Sequence, residues 1–511
     1  MIFHSILFRS AEDRAPDVSP GAPDYFADLN LDQIVDAITA GREGYDLKPF
    51  FHAPLRDIDA IAYRHEVMQA LEDSRLLGII KTFANSMQTM RRHLVQSDKL
   101  RYREQKERWF LDAVEIYCDA VNRLARDLSG EIFSSRGLAA FRDYAAGYAV
   151  SEHFTSLTGQ TKDLLADVAS IEYCVLVDSP HLRVHKYAGE PDYTADVEAT
   201  FERFKQREVE GHTFKFSESP DMNHIEAKVL ELVGLLYPGT FIALTNFYAA
   251  NKEYHDPGIM AFDREIQFYV AYLEHIAACK HAGLLFCYPR VTGTSKEIYS
   301  FQGFDLALAR KLLGERAVPV CNDFHIKDRE RIIVVSGPNQ GGKTTFARTF
   351  GQLHYLASLG CPVPGKEAQL FLFDALFTHF EREESIDTLR GKLQDDLVRV
   401  HRILERATPD SIVIMNEIFT STTLQDAILL SKQIATQIMD LDLLCVWVTF
   451  LDELASLSAQ TVSMVSAVDP GRAAERTYKV VRRPADGLSY AMSIAEKHRL
   501  TYGMIKERVG R

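Results

Sequence analysis

The sequence lacks the features that mark secreted, zinc-binding or membrane-spanning proteins. Its seven cysteines are an odd number without a Cys-x-x-Cys pair, which favours reduced thiols over a disulfide framework or a zinc site. No uninterrupted apolar stretch is long enough to cross a bilayer. The apolar run at the N-terminus is too short for a signal-peptide core and has no basic lead-in. We therefore expect a cytoplasmic protein without a membrane partner.

The sequence also lacks an excess of positive charge. The formal net charge is −13, from 58 Lys and Arg against 71 Asp and Glu. Such a chain is not a general polyanion binder, so contact with nucleic acid would need a local basic patch. The 511 residues are 46% hydrophobic and 25% charged, which is typical of a globular protein with about two to four domains.

The apolar pattern divides the chain into a helical part and an α/β part. Residues 1–30, rich in Pro, Asp, Ala and Ser, predict a flexible N-terminal tail. Apolar residues that recur at three and four positions predict a helical domain over 31–282. Two short strands, at 171–177 and 182–187, indicate a small β-containing insertion at about 168–216.

The pattern of residues 283–511 is α/β. Strand-like runs at 332–335, 412–415 and 445–449 alternate with helical stretches. That alternation predicts a mainly parallel sheet covered by helices on both faces. The predicted fold class is therefore multidomain, with an α part followed by an α/β part.

The first of these strands leads into a glycine-rich loop. Residues 337–345 match GxxxxGK[ST] between a strand and a helix, and a chance glycine-rich turn is the alternative. Glycines let backbone N–H groups point at phosphate oxygens, while Lys343 reaches the β and γ phosphates and Thr344 ligates Mg²⁺. The loop predicts ATP and Mg²⁺ as cofactors. The predicted binding residues are Gly337, Pro338, Asn339, Gln340, Gly341, Gly342, Lys343, Thr344 and Thr345.

A second buried strand ends in Asn416 and Glu417. In phosphate-loop ATPases this strand carries an acid for the Mg²⁺ shell, and a following Glu often polarises the attacking water. Glu417 and Lys343 are therefore the predicted catalytic residues, and Thr344 and Asn416 the predicted metal-site residues. The alternative for Glu417 is a solvated acid after a strand.

These motifs resemble the ATPase half of the MutS mismatch-repair family. Residues 337–345 are similar to its GPNMGGKST loop, residues 411–418 to its LVLMDEI strand, and residues 449–454 to its ATHxxEL stretch. Further similar segments are 54–67, 360–364 and 486–490. The likeness covers about residue 40 to the C-terminus.

The resemblance implies a helical core and lever domain with a clamp-like insertion, followed by an ABC-type P-loop ATPase domain. It also implies DNA as a partner, a homodimer through the ATPase domain, and a repair or recombination protein as a further partner. In such dimers a loop of one subunit contacts the γ-phosphate held by the other. Gly391 occupies the position of the family's signature Ser and is therefore a predicted cofactor-binding residue. In the same alignment Leu393 occupies the position of the family's Phe and Asp396 that of its Glu. The family's D-loop corresponds to residues 419–423.

Several positions depart from the family's pattern. Asn416 replaces its Asp, Phe450 the His of a switch, and Gly391 the signature Ser. The family's adenine-stacking aromatic is missing around 318–320, and there is no room before residue 40 for its mismatch-reading and connector domains. We therefore expect retained ATP binding, slow hydrolysis and no direct reading of mispairs.

The sequence is equivocal on DNA binding. The insertion at 168–216 has more acids than bases, which disfavours phosphate binding. A better basic stretch includes Tyr102 and Trp109, which suits a nucleic-acid surface; the alternative is a salt-bridged helix face. Its bases are Arg91, Arg92, Lys99, Arg101, Arg103, Lys106 and Arg108.

Two functions remain open. The first is a MutS-like ATPase that acts on DNA, in mismatch repair or recombination, through ATP-gated clamping of a dimer. The second is a nucleotide-gated scaffold that binds a protein partner with little or no hydrolysis.

Overall fold

The computed structural model describes residues 3–10, 21–178, 181–191, 193, 222–381, 391–469, 472–485 and 500–509. The chain forms two compact units. The first comprises Met1–Phe3, Ser74–Ile132 and Ala139–Asp263, and the second comprises His4–Asp73, Phe133–Leu138 and Arg264–Arg511. The sequence predicts one helical domain over 31–282, whereas the helical residues 31–73 and 264–282 group with the α/β part.

Two long helices dominate the first unit. Ser74–Lys99 and Arg103–Ser129 pack against each other, because each has an apolar stripe with three- and four-residue spacing. Buried residues of the stripes include Ile80, Phe83 and Met87 on the first helix and Val114, Tyr117, Val121 and Leu124 on the second. The unit also contains Glu152–Ala169, His224–Leu236 and Pro238–Ala250. Arg136–Ala149 and Pro257–His281 each have residues in both units.

The predicted insertion begins as an antiparallel hairpin. Strand β1 (Tyr173–Asp178) pairs with β2 (His181–Lys186), close to the two predicted strands. Most of the remainder of the insertion, from 194 to 216, lies outside the described residues. Among the described residues no single helix has the length and composition to cross a membrane; His224–Leu236 and Pro238–Ala250 reach that composition only as a pair bent by 105°.

A six-stranded sheet forms the centre of the second unit. Its strands are β7 Ile332–Ser336, β10 Leu376–Phe380, β11 Ile412–Asn416, β12 Leu444–Val448, β13 Thr461–Asp469 and β14 Arg472–Arg482. Their order across the sheet is β10-β11-β12-β7-β13-β14. The strands from β10 to β13 in this order are parallel, as the alternating pattern predicts, and β14 is antiparallel to β13.

Helices cover both faces of this sheet. On one face Val413, Met415 and Trp447 pack with residues of Lys392–Arg406 and Leu424–Asp440. On the other face lies Lys343–Ser358, where a Cβ on Gly351 would stand 2.8 Å from Ile414. The strands β7, β11 and β12 are buried along their whole length, which explains their continuous apolar runs.

Smaller elements complete the second unit. The remaining strands are β3 Phe286–Cys287, β4 Arg290–Thr292, β5 Ile298–Gly303, β6 Asn322–Ile326, β8 Val363–Pro364 and β9 Glu367–Phe371. Four of them form a sheet with the order β4-β9-β5-β6, and β3 pairs with β8. The further helices are Tyr25–Leu29, Leu31–Thr39, Lys48–His52, Ile58–Ala70, Leu306–Gly314 and Tyr502–Val509, with 3-10 turns at Glu43–Tyr45 and Asp452–Ser456.

The N-terminal residues are packed, so the flexible tail predicted over 1–30 is wrong for 3–10 and 21–30. Ile6 and Leu7 are buried, and Tyr269 donates a hydrogen bond to the Ile6 carbonyl at 2.7 Å. Further on, Gln352 donates to the Leu29 carbonyl at 2.9 Å. The apolar residues of this segment pack against residues that are distant in sequence, which the composition of the segment alone does not reveal.

A buried arginine joins the early helices to the α/β part. Arg64, on Ile58–Ala70, donates to the carbonyls of Leu7 at 3.1 Å and Leu359 at 2.9 Å. Gly360 has φ +71°, and a Cβ there would lie 2.6 Å from the Arg64 Cβ. This close approach requires glycine. It is one reason why residues 31–73 form one unit with the sheet.

Candidate nucleotide site

The predicted phosphate loop connects β7 to the helix Lys343–Ser358. Gly337, Gln340 and Gly342 have φ values of +119°, +60° and +90°. A Cβ on Gly341 would lie 2.3 Å from the Ser466 Oγ, which donates a hydrogen bond to the Gly341 carbonyl at 2.6 Å. The loop therefore needs its glycines to curl above β7 and against β13. Its N–H groups lead into a helix N-terminus, the geometry that binds phosphates.

Lys343 lies buried inside this loop. Its Nζ donates to the carbonyls of Gly337 at 3.0 Å and Pro338 at 3.2 Å, and to the Asn339 Oδ1 at 3.2 Å. The Glu417 Oε1 is 3.5 Å from the same Nζ. Burial lowers the pKa of Lys343, and the charge of Glu417 partly opposes this shift. The ammonium is thus held where a phosphate chain would run.

The two predicted metal-site residues touch. The Thr344 Oγ1 donates to the Asn416 Oδ1 at 2.9 Å, because β11 ends beside the loop. A hydroxyl and an amide oxygen suit Mg²⁺, which prefers oxygen ligands and usually keeps waters and phosphate oxygens in its shell. The described residues contain no group of three or more His, Cys, Asp or Glu that could hold a metal ion. A cation here would therefore depend on Thr344, Asn416 and ligand oxygens.

Glu417 stands at the end of β11 in a strained conformation. Its φ is +52° and that of Phe419 is +61°, a region that costs non-glycine residues about 1–3 kcal/mol. The Glu417 N–H donates to the Val448 carbonyl at 2.9 Å. The carboxylate lies 3.5 Å from the Lys343 Nζ of the phosphate loop, and its predicted role in polarising the attacking water stays a prediction.

A cavity of about 780 Å³ opens beside the loop. The polar part of its lining includes Gln340–Thr345 and Glu417. The apolar part includes Leu308, Leu312, Val318, Pro319, Val320 and Tyr478. Polar groups for phosphates and apolar side chains for a base match the two halves of a nucleotide.

Tyr478 reaches this cavity through an irregularity in β14. Ser466 pairs with Val480 and Val468 with Arg476, so β14 contains two more residues than β13 over this stretch. Tyr478 has φ +55° and is half exposed. Sequence analysis missed Leu308, Leu312 and Tyr478, although it noted the lack of an aromatic at 318–320. No local signal marks the bulge.

Asn322, which sequence analysis also missed, holds the cavity wall. Its Nδ2 donates to the Tyr478 carbonyl at 3.2 Å, and its Oδ1 accepts from the Val480 N–H at 2.7 Å. These bonds tie the start of β6 to the bulge of β14.

The other predicted site residue, Gly391, lies apart from this cavity. It is exposed and precedes the helix Lys392–Arg406 as its N-cap, and it is not among the residues that line the cavity. Its contact with a nucleotide held by a second copy stays a prediction. Residues 382–390 and the similar segment 486–490 lie outside the described residues.

The basic stretch of the first unit is largely neutralised by acids. Arg91 pairs with the buried Asp263 and Arg108 with Asp112. Two further pairs are Arg103–Glu104 at 2.8 Å and Lys106–Asp98 at 3.1 Å. These contacts favour the salt-bridged helix face over a nucleic-acid surface.

Comparison with known proteins agrees with this geometry. The sequence model of MutS domain V matches residues 333–508, which contain the phosphate loop, Asn416 and Glu417. The C-terminal part of this chain belongs to the MutS family. It carries the domain V ATPase fold.

Curated relatives match the chain only in part. The DNA mismatch repair protein MutS of Thermosipho melanesiensis is 33% identical over 141 residues, 27% of this chain and 17% of that protein. MutS of Halalkalibacterium halodurans is 29% identical over 191 residues, 36% of this chain and 22% of that protein. The mismatch repair protein Msh3 of Mus musculus is 32% identical over 117 residues, 23% of this chain and 11% of that protein. The chain therefore covers less than a quarter of each of these relatives.

Phe450 is a notable departure within this domain V. It stands where the resemblance expects a His, is about half exposed, and places its ring centroid 4.9 Å from the Lys343 Nζ. Glu417 and Phe450 thus both contact Lys343. A phenyl ring cannot exchange protons or donate a hydrogen bond, so it can cover the ammonium but cannot replace an imidazole chemically.

Proposed function

We propose that this chain binds Mg²⁺ and ATP in its MutS domain V, hydrolyses ATP slowly, and acts on DNA as a nucleotide-gated dimer in mismatch repair or recombination. One observation carries the nucleotide part of the proposal. Lys343, Thr344 and Glu417 all line a cavity of about 780 Å³ and lie close to one another. Tyr478 also lines this cavity, and its ring has the chemistry to stack a base.

Each residue has a distinct role. Lys343 exchanges the loop carbonyls for β and γ phosphate oxygens. Thr344 and Asn416 orient the metal shell, and Mg²⁺ when bound supplies charge neutralisation at the phosphates. Glu417 orients a water and accepts its proton. Because Asn416 has no charge and Phe450 has no acid–base function, turnover is slow.

Nucleotide binding and hydrolysis are tested on the purified full chain. We expect saturable, Mg²⁺-dependent binding of a fluorescent ATP analogue that Lys343→Ala abolishes. We expect a steady-state ATPase rate that Glu417→Ala lowers by on the order of 10²-fold or more while binding persists. Glu405→Gln, at an exposed position on the helix Lys392–Arg406, is the matched acid control. Lack of saturable binding by any purine nucleotide would refute the proposal.

Action on DNA rests on family membership, since the relatives are DNA mismatch repair proteins by name. It is tested by titrating salt against binding of duplex, branched and single-stranded DNA, with and without ATP. Affinity that falls with salt and changes with nucleotide supports the proposal. Dimer formation on ATP addition is measured by sedimentation.

A second candidate is a nucleotide-gated scaffold for a protein partner. The uncharged Asn416, the ring of Phe450 over Lys343 and the ion-paired basic residues of the first unit favour it. Absence of DNA binding at low salt, together with nucleotide binding and very slow turnover, would support this candidate over the first.

A further inference from the structure

A buried carboxylate links three segments near the end of β11. The Asp396 Oδ1 is 3.0 Å from the His379 Nε2, and the Asp396 Oδ2 accepts from the Phe419 N–H at 3.4 Å. Asp396 lies on the helix that begins after Gly391, and His379 lies on β10. His379 is fully buried and pairs in register with Met415, two residues before Glu417.

A second, exposed bridge connects the same segments. Glu381, directly after β10, pairs with Lys392 at the start of the helix and accepts a hydrogen bond from the Thr420 Oγ1 at 3.0 Å. The helix Lys392–Arg406 is therefore linked at two points to the loop that follows Glu417, through Asp396 and through the pair of Lys392 with Glu381.

The loop that follows Glu417 needs contacts from other segments to hold its backbone conformation. Glu417 and Phe419 both occupy the left-handed region, which side chains other than glycine adopt only when their surroundings enforce it. The Val448 carbonyl accepts from the Glu417 N–H at 2.9 Å, and the Asp396 carboxylate accepts from the Phe419 N–H. The second hydrogen bond is charge-assisted, which strengthens it, and its length of 3.4 Å is at the long end of the hydrogen-bond range.

We propose that Asp396 and His379 are positioning residues for Glu417. Through the Phe419 N–H they set the direction of the Glu417 carboxylate, and they couple it to the start of the helix at Gly391. A ligand or a second copy of this chain that contacts the helix start would therefore alter hydrolysis without touching the cavity. This inference rests on the proposed ATPase function and on the role of Glu417 in it.

The test is a double-mutant cycle on the full chain. Asp396→Asn preserves the shape but removes the charge, and it is expected to lower kcat by about 10- to 100-fold, the typical cost of a small misplacement. The dissociation constant of a non-hydrolysable ATP analogue is expected to stay unchanged. In a Glu417→Ala background Asp396→Asn is expected to have no further effect, because it acts through Glu417.

A second pair of variants guards against simple misfolding. His379→Ala removes the hydrogen bond to Asp396 and is expected to lower kcat, while His379→Gln retains a donor and is expected to restore most of it. Glu405→Gln, an exposed acid-to-amide change on the same helix, is the matched control and is expected to keep the native kcat. Thermal unfolding verifies that each variant is folded.

The possible outcomes are distinct. An unchanged kcat in Asp396→Asn, or an equal fall in both backgrounds, overturns the positioning role and leaves the proposed function intact. A kcat unaffected by Glu417→Ala overturns both the positioning role and the catalytic assignment of Glu417. Loss of analogue binding in folded Asp396→Asn also overturns the inference, since a positioning residue should not alter affinity.

Discussion

Asn416→Asp restores a charge at the metal site and is the sharpest test of the proposed mechanism. Asn416 ends β11, is 8% exposed, and accepts from the Thr344 hydroxyl at 2.9 Å. A cation bound to the Thr344 oxygen would stand about 4 Å from the new carboxylate, given a Mg–O distance of about 2.1 Å. The change therefore acts on the cation at short range.

The size of the effect follows from Coulomb's law. At about 4 Å and an effective dielectric near 20, each pair of unit charges attracts by about 4 kcal/mol. Burying the carboxylate and its repulsion of the phosphates oppose this attraction. We expect a net gain of about 1–3 kcal/mol, which is roughly 5- to 150-fold in metal affinity.

The assay is a Mg²⁺ titration of ATPase activity at saturating ATP. In Asn416→Asp the half-saturating Mg²⁺ concentration should fall by that factor and kcat should rise. Asn416→Ala, which removes the acceptor, should shift the titration in the opposite direction. Asn246→Asp, the same change at an exposed site in the first unit, is the control. Identical Mg²⁺ dependence in the wild type and Asn416→Asp would refute the placement of the metal.

Three further predictions follow from the second unit. Tyr478→Ala should weaken ATP binding by roughly 5- to 100-fold, through lost base stacking, without affecting competition by inorganic triphosphate. Gly360→Ala should lower the free energy of unfolding in urea by about 1–3 kcal/mol, because of its φ of +71° and its approach to Arg64. Burial lowers the pKa of His275 and of His354 to about 4. Because the unfolded chain takes up these protons near pH 6.5, stability should be lost as pH falls from 6.5 to 4, by about 3 kcal/mol per histidine.

Each of these predictions has its own control. Tyr478→Phe keeps the ring and should bind ATP normally; equal losses of ATP and triphosphate binding in Tyr478→Ala would contradict base stacking. Gly130→Ala lies at φ −86° with nothing within 4 Å of the added Cβ, and comparable losses at Gly130 and Gly360 would contradict the steric argument. His354→Gln should flatten the pH dependence of unfolding, whereas the exposed His153→Gln should not.

Local patterns were sufficient for the phosphate loop and the central sheet. The spacing of residues 337–345 implies a turn in which glycines take backbone conformations that other residues rarely adopt, and the structure shows Gly337 and Gly342 at positive φ. The continuous apolar runs predict strands buried on both faces, and β7, β11 and β12 have that burial. These features are visible in sequence because they depend on neighbouring residues along the chain.

What the amino-acid sequence determined by itself was the phosphate loop and the residues around it, since Lys343, Thr344 and Glu417 lie in short motifs with fixed geometry. Only the tertiary structure decided the apolar lining of the cavity, because Tyr478 reaches the cavity through a bulge between β13 and β14. It also decided that Ile6 and Leu7 are core residues and that Asp396 meets His379. The physical reason is the same in each case. These contacts join residues that are distant in sequence, and only the packed chain brings them within bonding distance.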